Sequence, residues 1–120
     1  MAKNSGKMDA YLPQRGDIVW IEFDPSQGAE IKKRRPALII SPLSYNQKVG
    51  LALACPITSH AKDYPFEVTL SSQKNIKGVV LADHIKSLDW KERKVKFEEK
   101  ASPELVNEVT EKLLLLIDVF

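Results

Sequence analysis

The stretch DIVWIEF (Asp17–Phe23) decides the fold class. Ile18, Trp20 and Glu22 fall on one face of an extended chain and Val19, Ile21 and Phe23 on the other, and β-branched and aromatic residues fill it, so it reads as a strand. Asp24, Pro25, Ser26, Gln27 and Gly28 supply the turn chemistry that ends it, and a hydrophilic loop is expected over 24–35. Beyond Pro36 the run ALIIS (Ala37–Ser41), closed by Pro42, reads as a buried strand. Leu51–Ile57, Phe66–Leu70, Gly78–Ala82 and Val95–Phe97 follow as further short strands, at the spacing of a small barrel. The period then changes. Leu105, Val109, Leu113, Leu116, Ile117 and Phe120 recur at helical steps, with Ser102 as N-cap, Pro103 in the first position and Glu104 at the positive end of the dipole. The expected class is mainly β with helices (α+β): a small β-barrel carrying a C-terminal amphipathic helix.

At 120 residues the chain holds one domain, and 43% hydrophobic with 28% charged residues is a globular composition, which excludes disorder throughout. Residues 1–10 are polar and expected to be disordered, leaving a single domain over 11–120. They contain no apolar run of the kind a signal peptide needs, and no later run approaches the ~20 residues of a membrane span, so a cytoplasmic location is expected. The single Cys55 cannot form an internal disulfide and, with two histidines, leaves too few soft ligands for a closed zinc site. No metal and no cofactor are expected. The formal charge of +2 conceals an asymmetry: six acids against Lys100 and Lys112 give residues 98–120 a charge of −4, leaving +6 on the rest. A basic body favours polyanionic or acidic-peptide partners.

The segment EIKKRRP (Glu30–Pro36) sets four consecutive cations between a turn and a buried strand. Pro36 restricts Arg35 to extended backbone, so a guanidinium is held where the chain enters the core. A rigid donor fork matches phosphate oxygens better than a lysine ammonium does. Thr58 and Ser59 end the strand Leu51–Ile57 and present hydroxyls beside a loop containing Lys62. Residue type alone favours turn hydrogen bonds for them; adjacency of Thr58 to Arg35 would instead let both donate to one phosphate. Asp83 and His84 read first as a polar strand exit, His60 as an exposed loop residue, and Trp20 and Trp90 as core or interface anchors. Gly-rich phosphate loops, Gly-x-Ser-x-Gly elbows and Cys-His nucleophile arrangements are absent from the sequence, which removes most common enzyme classes.

Seven pieces in order, GDIVWIEFDPSQGAE, RRPALIISP, YNQ, CPITS, YPFEV, GVVLADHIKSLDW and the terminal helix, resemble the MazF/PemK (ChpA/Kid-type) toxins from about Pro13 to Ile117. The resemblance implies an endoribonuclease of a bacterial toxin–antitoxin system with an SH3-like or CcdB-like barrel. It further implies a homodimer that cuts single-stranded RNA at a short base sequence without a metal. A cognate antitoxin would inhibit it by laying an acidic, flexible tail along the RNA groove, in keeping with the basic body. The family's catalytic arginine before proline falls on Arg35 and its catalytic threonine on Thr58. The implied chemistry is attack of a ribose 2′-hydroxyl on the adjacent phosphate, giving a 2′,3′-cyclic phosphate and a 5′-hydroxyl.

The expected substrate contacts are Phe23, Glu30, Lys33, Arg34, Asn46, Ser59, Lys62, Asp83, His84 and Lys86, with Glu30 a helper for the attacking hydroxyl or for base recognition. A Kid-like branch uses a histidine after the loop glycine and an arginine two residues before the aspartate. Ala29 and Leu81 occupy those positions, so an Arg-Thr mechanism fits better and Asp83 is left as a substrate contact. Two other readings stay open: a CcdB-like topoisomerase poison, which the ending Ile117-Asp118-Val119-Phe120 disfavours, and a non-catalytic RNA-binding module.

Overall fold

The computed structural model describes residues 11–22, 34–71 and 73–117. Seven strands and two helices are present among them: β1 (Asp17–Glu22), β2 (Arg34–Ile39), α1 (Leu43–Val49), β3 (Leu51–Thr58), β4 (Glu67–Thr69), β5 (Val79–Leu81), β6 (Lys86–Asp89), β7 (Lys96–Lys100) and α2 (Pro103–Ile117). A short 3-10 turn, Ala82–His84, links β5 to β6. The expected disorder of 1–10 lies outside the described residues.

β1 pairs antiparallel with β2, Ile18 opposite Leu38 and Trp20 opposite Pro36, and β2 pairs antiparallel with β3, Ala37 opposite Pro56. These three strands are buried on both faces. Ile18, Leu38, Cys55 and Ile57 face one core with Leu105 and Val109 of α2; Val19, Ile21, Ala37, Ile39, Ala52 and Ala54 face a second, smaller core with Leu88 and Trp90. Burial on both sides is why their sequences run apolar instead of alternating with polar residues. β3 changes partner along its free edge, pairing with β6 through Leu51–Ala54 and with β5 at Ile57 and Thr58. Pro56, which has no N–H to give a ladder, stands at that changeover.

The strand order is β4-β5-β3-β2-β1-β7, with β6 joined to β3. The mainly β class with helices is as expected; among the described residues no ladder links β4 to β7, so the small barrel is open along one seam. Side chains span the seam. Glu99 of β7 accepts from the backbone N–H groups of Lys74, Asn75 and Ile76 at 3.3, 3.0 and 3.0 Å, and Gln73 Nε2 donates to the Lys100 carbonyl at 3.0 Å.

α2 begins at Pro103 as expected, with Ser102 Oγ accepting from the Leu105 N–H at 3.1 Å. Two elements are additions. α1 is seven residues long and stops at Gly50, whose φ of +84° a side chain would disfavour. β6 adds one short strand beside β3. The expected loop over 24–35 is also too long by two residues, because β2 already begins at Arg34 and takes in Arg35.

Asn46 is the clearest correction among the expected substrate contacts. It is fully buried on α1, and its amide Nδ2 donates to the carbonyls of Pro13 at 2.8 Å and Ser41 at 3.1 Å. Ser41 Oγ donates to its Oδ1, and Trp90 Nε1 donates to its backbone carbonyl at 3.1 Å. Every polar atom of that amide is engaged inside the protein, and none faces a cleft. Asp17, also buried, accepts from the Tyr11 hydroxyl and from Lys100 Nζ at 2.7 Å, which ties the segment before β1 to the end of β7.

Candidate functional site

Arg35 stands exposed near the start of β2. Ala37 opposes Pro56, and the same register carried two residues further sets Arg35 across from Thr58 at the end of β3; both residues line the same two clefts. Antiparallel partners point to the same face, and this pair therefore continues the face that carries Ala37, Ile39 and Ala54 past the edge of the second core and into the open. The sequence forces the arrangement: apolar residues fill the covered part of each strand, and the guanidinium and hydroxyl appear where cover ends.

Two clefts meet at that pair. One, of about 570 Å³, is lined by Trp20, Arg34, Arg35, Pro36, Ile57, Thr58, Ser59, His60 and the wall Asn75–Lys77. The other, of about 640 Å³, is lined by Arg35, Thr58, His60, Lys62, Asp63, Tyr64, Pro65, Glu67, Leu81 and His84. A smaller concavity joins Arg35 to Pro56, Leu81, His84 and Lys86. Arg35 lines all three, and Thr58 lines both large ones. Among the described residues neither Arg34, Arg35, Lys62 nor Lys77 makes an ion pair; the first cleft, with Arg34, Arg35 and Lys77 and no acid in its lining, carries a positive field available to an anion, whereas in the second Asp63 and Glu67 stand against Arg35 and Lys62.

Thr58 is held from two directions. Its Oγ1 accepts from the His60 N–H at 3.1 Å, which leaves the hydroxyl proton to be donated elsewhere. Behind it, Gly78 at φ +123° packs so closely that a Cβ there would lie 2.1 Å from the Thr58 carbonyl oxygen. Only glycine permits this approach.

The expected residues Arg35, Thr58, Arg34, Ser59, Lys62, His84 and Lys86 are brought together around the clefts. Phe23, Glu30 and Lys33 lie outside the described residues. Asp83 does not itself line either cleft but stands next to Tyr64 of the second: its Oδ2 accepts from the Tyr64 hydroxyl at 2.7 Å, while its buried Oδ1 has no hydrogen-bond partner among the described residues. That hydrogen bond to the carboxylate, with some burial, raises the Tyr64 phenol above its ordinary value and keeps it a donor. His60, Tyr64, Trp20 and Asn75–Lys77 were not singled out as site residues. His60 had a readable signal, lying two residues beyond Thr58 on the same extended chain. The wall had none, because Glu99, which fixes it, lies over twenty residues away in sequence.

No group of three or more metal-ligating side chains gathers anywhere among the described residues. An exposed guanidinium and a hydroxyl that line the same open cationic cleft are suited to holding a phosphodiester.

Comparison with known proteins decides the family. Residues 14–117 match the model of the PemK-like, MazF-like toxins of type II toxin–antitoxin systems. The chain belongs to the PemK/MazF family. It is 42% identical over 107 residues to the endoribonuclease toxin MazF of Escherichia coli K12, covering 89% of this chain and 96% of the relative. The endoribonuclease toxin ChpB of the same strain is 34% identical over 110 residues, 88% of this chain and 94% of that one. A crystal structure of MazE-MazF from Deinococcus radiodurans superposes with a TM-score of 0.83 at 46% identity, over 92% of this chain and 100% of that one. The PemK/MazF fold thus accounts for the curled sheet and for the helix that crosses it.

Proposed function

We propose that this PemK/MazF-family chain is the toxin of a type II toxin–antitoxin system and an endoribonuclease that cleaves single-stranded RNA. The observation that carries the reading is the Arg35–Thr58 pair where two open clefts meet, one of them cationic, in a chain 42% identical to an endoribonuclease toxin. Its place of action is the bacterial cytoplasm, where messenger RNA is found; no helix among the described residues is long and apolar enough to cross a membrane.

In-line attack by a ribose 2′-hydroxyl on the neighbouring phosphorus forms the 2′-O–P bond and breaks the P–O5′ bond. A 2′,3′-cyclic phosphate and a 5′-hydroxyl result. Charge builds on the non-bridging oxygens as the phosphorus becomes pentacoordinate. Arg35 answers that charge with two parallel N–H donors, and Thr58 donates its hydroxyl to the same group. The 2′-hydroxyl proton must leave and O5′ must gain one. Glu30 is a helper for the attacking hydroxyl or for base recognition, and general acid–base help contributes typically ~10²–10⁴-fold. Arg34, Ser59, Lys62, His84 and Lys86 hold the strand on either side.

A cognate antitoxin with an acidic flexible tail would occupy the cationic cleft at Arg34, Arg35 and Lys77 and so exclude RNA; the Deinococcus radiodurans relative is seen in MazE-MazF complexes. The functional unit is a homodimer, because Leu114, Leu115, Leu116 and Ile117 leave α2 with an apolar end that is 48–71% exposed in the single chain.

The test is cleavage of a long RNA in EDTA with chemical analysis of the ends. Discrete cuts bearing 2′,3′-cyclic phosphate and 5′-hydroxyl ends are expected, and one 2′-deoxy substitution at a cut nucleotide should abolish that cut alone. Cleavage of the deoxy-substituted site would remove the proposed attack.

A further inference from the structure

We propose that the cleft between Trp20 and the Asn75–Lys77 wall is a nucleotide subsite that reads one base next to the scissile linkage and holds its flanking phosphate. The proposal rests on the endoribonuclease reading, which places the scissile phosphate at Arg35 and Thr58. A phosphodiester held there carries a nucleoside on each side, and two clefts diverge from that pair. One nucleoside would then lie towards the cleft on the Trp20 side.

The cleft has the parts such a ligand needs. Trp20, Pro36, Ile57 and Ile76 form an apolar floor. The Trp20 ring is fixed there by donation from Nε1 to Glu98 Oε1 at 2.9 Å. An aromatic face accepts the face of any base, so the floor gives affinity without choice. Choice comes from Asn75, an exposed side chain whose amide carries both donors and an acceptor for a base edge. Arg34 and Lys77 flank it with positive charge and make no ion pair among the described residues.

The wall is also built to stay in place. Glu99 accepts three consecutive backbone N–H groups, those of Lys74, Asn75 and Ile76, and at the far end the Gly78 carbonyl accepts from the Leu70 N–H at 3.0 Å. A loop clamped at both ends presents Asn75 at a fixed height above the floor, and a polar reader discriminates only when its position is fixed. The Glu99 carboxylate is thus a positioning residue for base choice, acting across the open seam of the sheet.

The experiment is to digest an RNA library of randomised sequence and read the base preference at each position around the cut, alongside affinities for a non-cleavable 2′-deoxy oligonucleotide. Asn75→Ala should lower discrimination at one position within two nucleotides of the cut by roughly 5- to 150-fold and leave the others unchanged. Glu99→Gln should weaken the same position. Lys77→Ala should weaken binding to all sequences alike and reduce the salt slope by about 0.7. Preferences identical to wild type in both Asn75→Ala and Glu99→Gln, with cleavage intact, would overturn the subsite. Wild-type protein that binds the oligonucleotide but never cuts, with Asn75→Ala altering which sequences bind, would overturn the cleavage reading and leave the subsite standing.

Discussion

In the proposed reaction Arg35 and Thr58 would divide the work at the phosphate unequally. A guanidinium contributes full charge and a two-pronged geometry, whereas a hydroxyl contributes one neutral donor. Thr58→Ala should therefore reduce the cleavage rate by roughly 10- to 100-fold, the worth of one hydrogen bond to a charged group, without moving the cut sites. Arg35→Lys keeps the charge but loses the fork, and single-turnover cleavage should place it between wild type and Arg35→Ala. Cys55 has no part in this chemistry. Burial, with the nearby Asp83 charge adding to it, pushes its thiol up to about 12. A thiol whose folded pKa lies above its unfolded value stabilises the fold below the unfolded pKa, and the contribution is lost as pH rises towards the folded one. At pH 8 the native protein should resist alkylation at Cys55, and the same reagent should label it fully in denaturant.

Strands β1 to β3 were legible because burial on both faces writes an apolar run into each, and α2 was legible because its cap and its three- and four-residue period agree. α1 was not. It has seven residues, mostly polar, and the residue it buries is Asn46, whose side-chain amide is bonded by Pro13 and Ser41 and whose backbone carbonyl accepts from Trp90, partners scattered along the chain. A sequence shows that an amide is present, but not that an enclosed network satisfies it. Asn46→Ala should accordingly lower the melting temperature, since it orphans buried partners at about 1–3 kcal/mol each, while leaving the mapped cut sites as they were. Of the site, the β2–β3 register that joins Arg35 to Thr58 follows once the two strands are aligned. The wall at Asn75–Lys77 depends on Glu99, far away in the chain, and on Gly78 lying against the back of Thr58. Gly78→Ala meets the Thr58 carbonyl and a positive φ together. Thermal melting should show destabilisation, and cleavage should fall further than stability alone explains because Thr58 is displaced.

At the scale of the whole molecule, the sheet curls enough to enclose two cores, leaves Arg35 and Thr58 at the edge of the second, and leaves the end of α2 apolar and exposed, the surface the proposed homodimer would cover. Replacing Leu115, the most exposed apolar residue of that helix, by Asp should convert a dimeric mass to a monomeric one in light scattering at micromolar concentration, with helix content retained.

The most direct measurement is single-turnover cleavage of one mapped RNA by wild type and Arg35→Ala in EDTA, with melting temperatures taken on the same samples. A loss of at least about 100-fold in rate at an unchanged melting temperature is expected, the size of removing one donor from a developing oxyanion. An Arg35→Ala protein that cuts the same bonds at the wild-type rate would contradict the assignment of that guanidinium to the scissile phosphate.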